Sequence, residues 1–300
     1  MMDWVTGIQR AIDYIEENLA SEIDLSEAAR LSFSSEYHFA RVFSLLCGRT
    51  LGEYVRLRRL TLAGAELAGG KIKVIDASLK YGYDSPDSFA KAFRAFHGIN
   101  PSEARTNGRC LKSFSRLTIK ISLEGGNIMN YRVIESPGFI LTGFGRRFAG
   151  IPGERAGQEE KFYTSTRPYQ WMLGGLSGDV ETMYDVIDNI SDDGYDFHIA
   201  AKLGERERAA LAAETFSGKA LSEIFSDIVI PAATYAVFET ERCRYPTLTF
   251  LELRKRIASE WLPTSGYQLA KSPELVVTHW YRGERRGERF RELWIPVVRS

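Results

Sequence analysis

The sequence predicts two domains in succession, an all-α domain followed by an α+β domain. Three observations carry this. The chain has 300 residues, enough for two separate cores. A short pattern in the first third recurs at a constant offset. Near residue 130 the texture changes from helical spacing to short β-rich runs.

The recurring pattern is "SFSSEYHFARVF" at 32–43, echoed by "GYDSPDSFAKAF" at 82–93. Ser35 answers Ser85, Phe39 answers Phe89, Ala40 answers Ala90, Arg41 answers Lys91 and Phe43 answers Phe93. Ahead of the first copy, Ile8, Ala11, Ile12, Ile15 and Leu19 keep helical spacing and make one apolar stripe. "DLSE" then offers Asp24 as a helix cap, with Glu27 three residues on. A short helix through Ala28 and Leu31 precedes the first copy. A long helix follows from Leu51 to Leu67, with Tyr54, Leu57, Leu60, Ala63 and Leu67 inward, and "AGG" at 68–70 stops it. The second copy repeats the scheme with a helix through Val74, Ala77 and Leu79, a turn at "YGYDS" and a helix over 85–96. "HGINPSEAR" closes it as "CGRTLGEYVR" closes the first.

Each copy reads as helix, tight turn, helix, the unit that lays its second helix in a DNA major groove. In the first copy Phe39, Val42, Phe43 and Leu46 form the packed stripe, leaving Tyr37, Ala40, Arg41 and Ser44 outward. In the second, Phe89, Ala92, Phe93 and Phe96 pack, while Asp87, Ser88, Lys91 and Arg94 face out. Ser35 and Ser85 are placed as N-caps, and Pro86 falls at the first helical position, where its missing N–H costs nothing. A long cation near such a helix start can reach guanine or phosphate. The alternative is a helical bundle whose repeat is only a packing solution, and the matched caps and cations weigh against it.

Residues 1–112 hold 15 basic and 14 acidic side chains, so affinity for DNA must come from where cations stand, not from bulk charge. Over the whole chain, 39 basic residues balance 39 acidic ones, so the chain as a whole is neither a nucleic-acid sponge nor a polyacidic tail. Three scattered cysteines, Cys47, Cys110 and Cys243, suit a reducing cytoplasm and fit neither a disulfide framework nor a metal-ligand pair. The acidic residues Asp3, Asp13, Glu16 and Glu17 interrupt any export signal, and there is no apolar run of membrane-spanning length. A cytoplasmic location follows as the expectation, with no membrane partner. Phosphate loop, metal cluster and cofactor fingerprint are all missing, so no cofactor and no metal are expected.

The first hundred residues resemble the DNA-binding domain of AraC-type transcription regulators. The resemblance rests on Ala77, Tyr81, Tyr83, Phe89, Phe93, Gly98 and Pro101, and on "YVRLRRL" in the connecting helix. It implies that two recognition helices enter successive major grooves on one face of a promoter site in double-stranded DNA. By position, Tyr37, Ala40 and Arg41 stand at base-contacting places of the first helix, and Asp87, Ser88 and Lys91 at those of the second. Because Tyr37 and Asp87 differ, the two helices should read different bases. RNA polymerase is the further partner such a promoter-bound regulator implies, and a monomer is the favoured state.

Residues 130–300 resemble the GyrI-like effector-binding domain, through "YRVIESPGFILTGFG", "IPAATYAVFE", "WLPTSGYQLAKSPEL" and "RELWIPVV" in that order. The resemblance implies two similar βα halves around an aromatic cleft holding a carboxylate. Such a cleft suits a small, lipophilic or cationic effector. Glu292 matches the family's terminal-strand glutamate, with Trp294 on the same strand face and Leu293 and Ile295 in the core. His279 falls where many members carry a second glutamate, in "VTHWY", beside Tyr281; Trp171 is a further cleft candidate. The alternative for Glu292 is a surface carboxylate near Arg289 or Arg291, and a core role is open for Trp171. Domain limits of 1–110 and 130–300, with a linker over 111–129, complete the expectation. A hydrolase acting on electrophiles through Glu292 and Tyr281, or a protein-interaction module with no small ligand, remains the alternative for the second domain, although no nucleophile–base pair is spaced for catalysis.

Overall fold

The computed structural model describes residues 4–106, 109–118, 129–152, 156–211, 214–216 and 218–299. They divide into two compact units: residues 4–43 and 49–118 in the first, 44–48 and 129–299 in the second. The helices of the first half are α1 (Trp4–Glu17), α2 (Leu25–Leu31), α3 (Glu36–Cys47), α4 (Leu51–Ala68), α5 (Val74–Lys80) and α6 (Pro86–His97). Their number and order are those the periodicity predicts.

The stripe on α1 is buried from Ile8 to Ile15, as apolar spacing requires. Asp24 caps α2 through the Ser26 N–H at 2.8 Å. Glu27 does not complete a capping box: it pairs with Arg30, and the Asp24 N–H goes to the Tyr14 hydroxyl. On α4, Leu60, Ala63 and Leu67 are buried with Phe89, Phe93 and Tyr81 in one cluster, while Leu57 is only half-buried. Leu46, expected on the packed stripe, is exposed.

Two polar devices hold α4 in place. Arg58 grips Glu16 of α1 with Nε and NH2, each at 2.8 Å, and Tyr54 donates to the same carboxylate at 2.5 Å. The Arg58 NH1 also donates to the Phe114 carbonyl at 2.6 Å, and the Leu117 N–H to the Tyr54 oxygen. Residues 109–118 therefore run extended along α4 and not free of it. The remainder of the segment read as a linker, 119–128, lies outside the described residues. The second device is His97, buried at the end of α6. Its Nδ1 accepts from the Lys112 N–H, which leaves Nε2 protonated to donate to the Leu60 carbonyl at 3.0 Å. Gly64 makes room for that ring, since a Cβ there would stand 2.9 Å from it.

The second unit contains strands β1 (Tyr131–Ser136), β2 (Phe139–Phe148), β3 (Thr182–Ser191), β4 (Gly194–Ala201), β5 (Thr215–Phe216), β6 (Lys219–Ala220), β7 (Ser226–Ile230), β8 (Ala233–Glu239), β9 (Tyr267–Leu269), β10 (Glu274–His279) and β11 (Phe290–Arg299). Helices α7 (Ala156–Ser165) and α8 (Arg167–Ser177) lie between β2 and β3. Short helices α9 (Glu205–Ala210) and α10 (Leu221–Ile224) precede β7, and α11 (Thr247–Arg256) follows β8. The main sheet is antiparallel, in the order β1-β8-β11-β10-β3-β4-β2-β7, with β9 paired to β11. Read from either end, the order is the same succession of corresponding strands: β1 with β7, β8 with β2, β11 with β4, β10 with β3. That is the two-half architecture expected from the sequence, and its seam is the β10·β3 pairing.

Candidate nucleic-acid interface and effector cavity

In the first unit, the turn before each repeated helix is built as the sequence requires. Ser35 accepts from the His38 N–H at 3.2 Å, and Ser85 accepts from the Ser88 N–H at 3.2 Å. Both helices end on a glycine of left-handed backbone, Gly48 at φ 68° and Gly98 at φ 83°, a conformation that favours glycine. On α6, Asp87, Ser88, Lys91 and Arg94 are all exposed, and Phe89 and Phe93 are buried beneath them.

On α3 the structure departs from the expected facing. Ser35 is exposed and Tyr37 and Ala40 half-buried, but Arg41 is buried, at 2% exposure. His38, Arg41 and Ser44, spaced three apart, are buried beside Phe39, Val42 and Phe43, so the buried arc of α3 is wider than the apolar stripe alone. Burial also drives the His38 pKa down to about 4, so that ring is neutral at physiological pH. The two repeated helices, alike in cap and core, thus differ in how much polar face they present.

In the second unit a cavity of about 800 Å³ opens beside the seam, lined from α7, α8, β3, β10, β11 and the turn over 280–289. Asp185 and Tyr163 lie in it with Arg291, Met183 and Thr278, and Trp171, Trp280, Arg167, Arg282, Arg286 and Arg289 stand around them. Strand pairing explains the choice. Arg291 is opposite Thr278, and Thr278 opposite Met183, so this row shares one face of the sheet. Glu292 lies in the next row, opposite Val277 and Glu239, and so points to the other face.

Trp171 is therefore the only one of the expected effector residues found among the cavity's lining. Glu292 is instead held by Arg132 at 2.8 Å and by the Trp294 indole N–H at 2.7 Å. Its partner is neither Arg289 nor Arg291. His279 stacks on Phe290 at 4.2 Å with Tyr281 nearby, and its pKa is lowered by burial against the raising influence of Glu292 and Asp179. Thus Glu292 joins Trp294, and His279 joins Tyr281, away from the cavity. Leu293 and Ile295 are buried in the core as expected.

The cavity residues have unusual electrostatics. Burial raises the Asp185 carboxyl to about 6, against the opposing pull of Arg291 and of its hydrogen bond with Tyr163. Burial, and then the Asp185 charge, push the Tyr163 phenol well above its ordinary value. Arg289 is 7% exposed, with its guanidinium 3.9 Å over the Trp280 ring; its Nε donates to the Tyr281 carbonyl at 2.7 Å. Sequence reasoning missed Asp185, Tyr163, Arg289 and Arg291. The dense arginine run "RGERRGERFRELW" at 282–294 was the signal available for part of them.

Among the described residues, no group of three or more His, Cys, Asp or Glu is placed to hold a metal ion, and no helix is long and apolar enough to cross a membrane. A double helix-turn-helix unit and a two-half sheet domain with a ligand-sized cavity define a DNA-binding regulator with a sensor domain. Comparison with known proteins agrees. Residues 28–107 match the family model of the helix-turn-helix domain, and residues 182–297 that of the integron-associated effector binding protein. The transcriptional activator AarP of Providencia stuartii is 43% identical over 95 residues, which are 32% of this chain and 70% of that protein. The regulatory protein SoxS of Salmonella typhimurium is 34% identical over 98 residues, covering 33% of this chain and 92% of SoxS. An integron cassette protein from Vibrio cholerae aligns in structure at 14% identity over 56% of this chain and 95% of its own, with a TM-score of 0.34. The chain belongs to the AraC-type helix-turn-helix transcription regulators. It is a DNA-binding regulator carrying a C-terminal effector-binding domain.

Proposed function

We propose that residues 1–110 read two successive major grooves of a promoter through α3 and α6, and that residues 130–300 adjust this activity when a small effector fills the cavity beside the seam. The reading is carried by the repeated capped helix. On α6 it presents Lys91 and Arg94 at the surface, with Asp87 and Ser88 in its first turn. Ser35, Tyr37 and Ala40 form the contact edge of α3. Arg41 is left out of that edge because it is buried. Asp87, an acceptor, suits the amino group of cytosine, whereas Lys91 and Arg94 suit guanine or phosphate.

A regulatory role without turnover is favoured by the state of the residues a hydrolase would need. Glu292 shares Arg132 with Glu239 and accepts the Trp294 indole N–H, so each of its oxygens already has a partner, an arrangement suited to holding strands together and not to activating water. Its face of the sheet is also not the face that carries the cavity. Recruitment of RNA polymerase belongs to the same reading and adds no residue to it.

The test is DNA binding by the full chain to the region upstream of its own gene, measured across salt concentrations. Lys91→Ala and Arg94→Ala should each weaken binding and flatten the dependence on salt by about one counterion. Unchanged affinity and slope in both variants would remove α6 as a reading helix.

A further inference from the structure

The cavity beside the seam has the wrong charge for the cation that its family resemblance implies. Five arginines line it, against two carboxylates, Glu181 and Asp185. Glu181 is already engaged, with the Arg282 backbone N–H at 3.0 Å and Arg285 at 3.9 Å. Asp185 is buried, bonded to Tyr163, and holds its proton into the mildly acidic range. Among the described residues, no carboxylate lies within ion-pair distance of Arg167, Arg282, Arg286, Arg289 or Arg291. The Nε of Arg291 is buried with no hydrogen-bond partner, a state that costs the desolvation of a charged donor until something accepts from it. Arg289 is crowded as well, by the like charges of Arg286 and Arg244, with its guanidinium laid on Trp280.

An anion relieves this arrangement, and a lipophilic cation worsens it. Guanidinium groups present planar paired donors that match carboxylate, sulfonate or phosphate oxygens. Part of the remaining wall is apolar and aromatic, interrupted by Thr164, Gln170 and Thr278. Trp171 is 70% exposed, with no aromatic neighbour among the described residues, and Val180, Met183 and Trp280 stand around the same space. A large exposed indole at a cavity mouth is a stacking surface in want of a partner.

We propose that the effector of this cavity is an organic anion with an aromatic body, its charge on Arg289 and Arg291 and its ring against Trp171 and Trp280. Arg286, exposed at the rim beside Arg282, makes a further contact with the anion's charge. The inference rests on the reading of this cavity as the effector site. It adds the sign of the ligand's charge and the shape of its body.

The experiment is calorimetric titration of the full chain with three probes of one shape: 2-naphthalenesulfonate, neutral 2-naphthalenesulfonamide and 2-naphthyltrimethylammonium. The sulfonate should bind saturably and at least about tenfold tighter than either other probe, which is the value of one charge-assisted contact. Arg286→Gln, at an exposed position, should weaken the sulfonate about tenfold and leave the sulfonamide unchanged. Arg286→Glu should move the preference toward the trimethylammonium. Equal or tighter binding of the cation, or of the neutral probe, overturns the anion inference while the effector site stands. Sulfonate affinity unmoved by both Arg286 variants also overturns it. Saturable binding by none of the three takes down the effector reading of the cavity together with the inference.

Discussion

Replacing Glu16 by alanine should cost about 3–5 kcal/mol in the stability of the first unit, the range for stripping one partner from a buried ion pair. The magnitude follows from what the carboxylate does. Its side chain is 7% exposed and that of Arg58 12%. It accepts two N–H bonds from Arg58 at 2.8 Å and one O–H bond from Tyr54 at 2.5 Å. Burial alone would raise the Glu16 pKa, but the bonds from Arg58 and Tyr54 outweigh it and hold the pKa below the ordinary value. The folded form is thus stabilised above the unfolded carboxylate pKa, and this contribution disappears as pH falls through the depressed folded value. In Glu16→Ala the guanidinium stays buried, with the Phe114 carbonyl as its remaining hydrogen-bond acceptor. Removing both charges should hurt less, so Glu16→Ala with Arg58→Met is expected to be more stable than Glu16→Ala alone. Amide hydrogen exchange of the full chain, read on peptides from α4, gives the free energy of opening that helix. A loss below about 0.5 kcal/mol, or a double variant worse than the single one, would refute the account of how α4 is held.

Three further outcomes follow from the same structure. Asp185 has a folded pKa of about 6 against an ordinary 3.8, so the folded state binds its proton more tightly; stability should fall by about 3 kcal/mol as pH rises from about 4 to about 6, and then level off. Asp185→Asn should flatten that segment of a denaturation-versus-pH curve. Lowering the pH from 7 to 5 should also tighten 2-naphthalenesulfonate severalfold, because Asp185 becomes neutral amid Arg291, Tyr163 and Glu159, and titrations at the two pH values check this. Gly64→Ala improves helix propensity by about 1 kcal/mol, yet it sets a methyl 2.9 Å from the His97 ring, so exchange measurements should show net loss of protection in α4 and α6.

The helical half was legible because each signal was local. Period, cap and stop residues sit within a few positions of one another, and the repeat doubled every observation. The exceptions are instructive. Its match to Lys91 places Arg41 outward, but burial on a helix depends on how far around the cylinder neighbours reach, which pairwise matching does not show. Leu46 falls on the apolar stripe by spacing, yet it is exposed. In the sheet domain, the short β-rich runs give the α+β class and the family resemblance implies the two-half plan, while strand order and the site are not legible. Glu292 and Arg291 are adjacent, and strand alternation sends one to each face; which face carries the cavity is decided by where α7 and α8 pack. Asp185 and Tyr163 stand 22 positions apart in sequence, in segments that carried no motif. Their meeting is a tertiary fact.

The central claim is that one chain carries two unequal reading helices. Hydroxyl-radical footprinting of the full chain on the DNA upstream of its own gene tests it most directly. The account predicts two protected patches on one face of the duplex, centred about one helical turn apart, with Lys91→Ala releasing one patch before the other. A single patch, or two patches that Lys91→Ala weakens equally, would contradict it.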